Sequence, residues 1–159
     1  MKKDGKNNAT ECEKMIRPMK NEDRQSVIDM MRIFYHSEAV LSDGSEEIYR
    51  NDVETCLSDS PFLEGFIFEE EGKTAGYAMI AKSFSTEFGK PCIWIEDLYL
   101  KEEYRGKGLG TAFFRYLEER FPQVIFRLEA EEENERAIAV YHKNGYQVLP
   151  YLELIREEK

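Results

Sequence analysis

Ile93-Trp94-Ile95-Glu96-Asp97-Leu98-Tyr99-Leu100 passes through a short connector into Tyr104-Arg105-Gly106-Lys107-Gly108-Leu109-Gly110. The first segment reads as a strand, with branched and aromatic residues around two carboxylates. The second opens a helical run, Leu109 to Arg120, whose Leu109, Ala112, Phe113, Tyr116 and Leu117 share one face. Where a strand turns through glycines into a helix, backbone amides can approach an anion closely. Glycine removes the Cβ and admits unusual dihedrals. The helix start supplies unpaired N–H groups and the positive end of its dipole. A phosphorylated ligand is expected at this junction.

Working outward, Met15 to Met19 reads as a short first strand, and Asn21 as the cap of a helix carrying Val27, Met30, Met31 and Phe34 at helical spacing. A turn at Ser42-Asp43-Gly44-Ser45 precedes a second helix from Glu46 to about Ser58, stopped by Asp59-Ser60-Pro61. Strands are expected over Phe62–Glu69 and Thr74–Phe84, joined by a hairpin turn at Glu70-Glu71-Gly72-Lys73. After the glycine loop and its helix come a strand from Val124 to Ala130, a helix from Asn134 to Lys143 closed by Gly145, and strand material from Tyr146 to Ile155. The order β-α-α-β-β-β-α-β-α-β indicates an α/β (α+β) fold. It implies a mixed, mostly antiparallel sheet of six or seven strands, covered on both faces by about four helices.

At 159 residues and 42% apolar composition the chain fits one domain, expected over residues 14–159, after a polar and disordered leader over residues 1–13. No apolar run approaches the length of a membrane span. Three cysteines, Cys12, Cys56 and Cys92, show no CxxC spacing and read as free thiols of a cytoplasmic protein. His36 and His142 have no companion at metal-ligand spacing, so no metal is expected. The net charge of −10 disfavours nucleic acid as a partner. It suits a cationic substrate drawn in by long-range steering, and equally a surface that is merely soluble.

The loop is not a Walker loop, because Lys107 lies in the wrong place. Nor is it a dinucleotide fingerprint, because its glycines alternate at 106, 108 and 110. It matches [RQ]-x-x-G-x-[GA] through Arg105, Gly108 and Gly110. With the preceding strand, and with Asn134, Ala137, Tyr141 and Gly145 in the last helix, the chain resembles the GNAT superfamily of acyl-CoA-dependent N-acetyltransferases. The likeness spans nearly everything after residue 13. In Ile95 to Tyr99 and Tyr104 to Gly106 it is similar to the diamine and polyamine N-acetyltransferases.

That resemblance implies acetyl-CoA as co-substrate. Its pyrophosphate would be cradled by amides of Arg105, Gly106, Lys107, Gly108, Leu109, Gly110 and Thr111. Its pantetheine arm would pair like an added strand with Leu98, Tyr99 and Leu100 and touch Asn134. By the same resemblance Glu96 is the general base, acting directly or through water. The Leu98 N–H is the oxyanion donor, and Tyr141 is the acid that protonates the thiolate. The residues agree: a carboxylate in an apolar strand is costly unless paired or used, and a phenol is a proton donor at neutral pH. Asp97 is assigned to the substrate cation, or else to a structural ion pair. Tyr141 alternatively joins the helix's core stripe.

The acceptor is expected to be a small primary amine. Glu38, Asp43, Glu46 and Glu47 lie near the turn between the first two helices, which often borders the acceptor site in this superfamily. His36 reads as a partly exposed helical residue, and Cys92 as too isolated to carry an acyl group. A protein or peptide N-acetyltransferase and a non-catalytic acyl-CoA-binding module are the alternatives. A homodimer is a further possibility for such folds.

Overall fold

The computed structural model describes residues 15–157; the expected leader and Cys12 lie outside them. Among these residues five strands form one sheet in chain order: β1 (Ile16–Pro18), β2 (Leu63–Glu70), β3 (Lys73–Ser85), β4 (Lys90–Leu100) and β5 (Ile125–Leu128). Every pairing is antiparallel except β4 with β5. Four helices accompany it: α1 (Arg24–Tyr35), α2 (Glu46–Leu57), α3 (Leu109–Arg120) and α4 (Glu135–Lys143).

Local chemistry accounts for the boundaries. Ser45 caps α2 by accepting from the Ile48 N–H at 3.2 Å, with Glu46 and Glu47 on the favourable end of the helix dipole. The β2–β3 turn places Glu71 and Gly72 at φ 50 and 74, the paired left-handed geometry that suits the twist of a tight hairpin. Asn134 caps α4 through the Ala137 N–H at 3.2 Å, and Gly145 at φ 87 ends it, with the Tyr146 N–H reaching back to the Tyr141 carbonyl at 3.1 Å. The start of α1 differs from expectation. Asn21 begins a single 3-10 turn, and Asp23 organises the entry by accepting from the Lys20 N–H at 2.8 Å and pairing with Arg17 at 2.7 Å.

Side chains bury on both faces of the sheet. Val27, Met31, Tyr49, Val53, Ile67, Tyr77 and Met79 form one core beneath α1 and α2. Phe66, Phe68, Ile80, Ile93, Phe113 and Leu117 form the other beneath α3. The strand count needs correction. Residues 146–157 pair with no strand, and Val148, Leu152, Leu154 and Ile155 are at least 80% exposed. Pro150 lacks an N–H and divides that stretch into two short pieces, which weakens it as sheet.

Candidate functional site

The sheet opens where β5 stops. Its parallel pairing to β4 runs from Cys92↔Ile125 to Ile95↔Leu128, whereas β4 continues to Leu100. The Lys101 N–H donates to the Ala75 carbonyl on β3 at 2.9 Å. Strand alternation then turns the backbone groups of Tyr99 toward β3 and those of Leu98 and Leu100 toward the open edge. Arg105 Nε donates to the Leu100 carbonyl at 2.9 Å, and its guanidinium lies 5.9 Å from the Tyr99 ring centre. The open edge therefore begins at Glu96 and ends under a cation.

The glycine loop lies just beyond. Gly106 and Gly108 hold φ of 75 and 85, which only glycine adopts without strain. Gly110 has no such demand on its backbone, yet a Cβ built there meets no atom within 4 Å. The fold itself does not need that side chain absent; the space belongs to the loop's outer surface. The first backbone bond of α3 runs from the Ala112 N–H to the Gly108 carbonyl at 2.9 Å. The N–H groups of Leu109, Gly110 and Thr111 are thus the unpaired donors of the first turn. Lys107 flanks them, held by Glu70 at 3.3 Å and lying 5.3 Å from the Tyr104 ring centre. Unpaired amides, two cations and open glycine surface suit the pyrophosphate of a CoA-like ligand.

The two carboxylates occupy different settings because β4 carries a bulge. Met79 on β3 faces Asp97, but the next residue, Ile80, faces Ile95, leaving Glu96 as the extra residue. The bulge switches faces: Ile93 and Ile95 lie in the α3 core, whereas Asp97 and Tyr99 turn toward α1 and α2. Glu96 is exposed at the rim, with its carboxyl raised above the usual range, first by desolvation and then by the charges of Asp97 and Glu153. Asp97 is 3% exposed and accepts from the Tyr77 hydroxyl at 2.7 Å and the Tyr35 hydroxyl at 3.0 Å. Burial pushes its carboxyl up to about 6, against the opposing pull of the two phenols.

Further carboxylates surround Glu96, and sequence reasoning did not single them out. Asp52 on α2 is raised by burial and by the Glu96 charge. Glu129, just past β5, is raised by burial and by the neighbouring carboxylates Glu153 and Glu96. Asp52, Glu96, Glu129 and Glu153 have no ion-pair partner among the described residues. By contrast Glu46, expected near an acceptor, is engaged by Arg32. Asp52 did leave a trace in the sequence, as an acid on the inward stripe of Tyr49, Val53 and Cys56.

Tyr141 on α4 is partly buried and packs against Phe114 and Tyr146, and burial alone raises its phenol. The Asn144 side chain ties the end of α4 to Thr111 at 3.2 Å, so the last helix and the glycine loop are fastened together. The Asn134 oxygen is occupied by its capping bond. His36 sits at the end of α1 with its ring nitrogen 2.6 Å from the Arg32 carbonyl, and Cys92 is buried in β4.

A model of the acetyltransferase (GNAT) family matches residues 27–146. The chain is 31% identical over 151 residues to the thialysine N-epsilon-acetyltransferase of Bos taurus, covering 85% of each. It is 24% identical over 141 residues to the spermine/spermidine N(1)-acetyltransferase of Bacillus subtilis (strain 168), covering 83% of this chain and 86% of that one. Among solved structures, a possible acetyltransferase from Clostridium difficile 630 superposes with a TM-score of 0.75 at 20% identity, over 91% of this chain and 97% of the other.

Proposed function

The chain belongs to the acetyltransferase (GNAT) family, and from that premise we propose that it transfers an acetyl group from acetyl-CoA to a primary amine of a small cationic molecule. The observation that carries this reading is the open edge of β4, which starts at a bulged carboxylate and leads to a loop of unpaired amides. Bound acetyl-CoA supplies the activated thioester. Amides of the loop, with Arg105 and Lys107, hold the pyrophosphate end. Backbone groups of Leu98 and Leu100 hold the pantetheine arm as an added strand.

In the ternary complex Glu96 takes a proton from the substrate ammonium, directly or through water, and frees the amine to attack. Its raised proton affinity brings it closer to the working pH of a base near neutrality. The Leu98 N–H donates to the oxygen on which negative charge develops. Tyr141 gives its hydroxyl proton to the departing sulfur; burial keeps that phenol protonated at neutral pH.

The acceptor class follows from charge. Asp52, Glu96, Glu129 and Glu153 have no ion-pair partner among the described residues, and the chain carries a net charge of −10. Both named relatives act, by their names, on substrates bearing more than one amine. We assign a di- or polyamine, or a lysine-like amine, as acceptor. Thiol release from acetyl-CoA tests this across spermidine, a short diamine, thialysine, a neutral amino acid and a free-N-terminus peptide. Turnover concentrated on the first three is the expected result. Turnover confined to the peptide would point to a protein acetyltransferase. Tight acetyl-CoA binding with no turnover on any of them would point to a regulatory module.

A further inference from the structure

Two charged side chains are buried among the described residues, Asp23 and Asp97. Asp23 has a cation, Arg17, at 2.7 Å. Asp97 has none; its two oxygens are taken by phenols from different layers, Tyr77 on β3 and Tyr35 at the last position of α1. A buried carboxylate without a countercharge costs stability even when hydrogen-bonded. The direct chemistry above makes no use of it.

Its place in β4 suggests what it is for. Asp97 is the first residue after the bulge, where the strand changes faces. A strand whose pairing slips by one residue turns every side chain to the opposite face. Here such a slip would set Glu96 opposite Met79 and take it from the rim. Hydrophobic pattern alone guards weakly against this, because both faces of β4 are lined by apolar residues. The two phenols supply a directional restraint at that point.

We propose that Asp97 is a positioning residue: clamped between Tyr35 and Tyr77, it fixes the register of β4 at the bulge and so holds Glu96 outward at the start of the open edge. The proposal rests on the reading of Glu96 as the base. The clamp also joins the end of α1 to the reacting strand, so a disturbance of that helix end reaches the base through one carboxylate. The titratable groups around Glu96 are Asp97 on β4, Asp52 on α2, Tyr35 on α1, Glu129 after β5 and Glu153 in the C-terminal segment. Of these charges Asp97 raises Glu96 most.

Steady-state kinetics on Asp97→Asn, Tyr35→Phe and Tyr77→Phe, with pH profiles, test the clamp. Each variant is expected to lose roughly tenfold or more in kcat through misplacement of the base, with the acetyl-CoA KM within about twofold of wild type. In Asp97→Asn the acid limb of kcat/KM moves to lower pH, because a neighbouring negative charge is gone. In Tyr77→Phe the carboxyl stays but loses one of the hydrogen bonds that hold its proton affinity down, so kcat falls while the acid limb moves less than in Asp97→Asn. Wild-type kcat in both tyrosine variants overturns the clamp, and this holds even if Asp97→Asn does not fold. A raised amine KM with unchanged kcat in Asp97→Asn also overturns it, since that describes direct substrate contact. Glu96→Gln distinguishes failure of the clamp from failure of the base. If Glu96→Gln is impaired while the clamp variants are normal, the clamp alone fails; if Glu96→Gln turns over like wild type, the base reading fails and the proposal with it.

Discussion

Tyr141 packs edge-on against Phe114 and Tyr146, with ring centres 6.1 Å from each, so its ring and its hydroxyl can be separated experimentally. Tyr141→Phe keeps the packing and removes the proton. We expect kcat to fall by roughly 10²-fold, the lower end for a general acid, with thermal stability and acetyl-CoA affinity close to wild type. Unchanged kcat would leave Tyr141 as a core residue only. At this scale the sequence was most informative where a residue type was out of place. Glu96 and Asp97 stood out in an apolar strand, and Tyr141 fell on the face of Asn134. Asp52 was equally out of place on the inward stripe of α2, and its position there becomes meaningful only once α2 is seen to cover the sheet, where the Glu96 charge reaches it. Tyr35 and Tyr77 gave no local signal, because a phenol in a core is ordinary until its partner, Asp97, is known.

Among the elements, the glycine loop and the helix it opens were legible because their chemistry is local: spacing, unusual dihedrals and an uncapped first turn. The bulge in β4 was not. Alternation along Ile93 to Leu100 predicts opposite faces for Glu96 and Asp97, and gives no warning that Ile95 and Asp97 also part company. That outcome depends on the register of β3 against β4, a long-range property. The loop offers a test that separates folding from binding. In Gly110→Ala the new methyl meets no protein atom within 4 Å and no left-handed dihedral is violated, so the melting temperature should hold or rise slightly. Acetyl-CoA affinity should fall by about tenfold, or about 1.4 kcal/mol, because the methyl occupies the loop's outer surface. Unchanged affinity by calorimetry would contradict the cradle.

For the whole molecule, element order predicted the layers correctly, and the C-terminal segment is where expectation and structure part: Val148, Leu152, Leu154 and Ile155 lie exposed and outside the sheet. The acidic balance has a consequence for stability that Asp97 makes testable. Its carboxyl is raised from 3.8 to about 6 in the fold, so the folded state binds the proton more tightly than the unfolded chain. Stability from this group is therefore fully present below the unfolded value and is lost as pH rises through about 6. Lowering the pH from about 7.5 to about 5 should add on the order of 1 kcal/mol, a few degrees in Tm. Asp23, whose carboxyl is lowered by Arg17 and the Lys20 N–H, reverses the trend at more acidic pH. The rise should be smaller in Asp97→Asn; an undiminished rise there, or a fall in wild type, would contradict this account. Glu96, the proposed base at the start of the open edge, should govern the rate of acetyl transfer. Single-turnover transfer from acetyl-CoA to a diamine, by wild type and by Glu96→Gln, tests it most directly. The expected rate is lower by roughly 10²–10⁴-fold in the variant with acetyl-CoA affinity within about twofold of wild type. A wild-type rate in Glu96→Gln would contradict it.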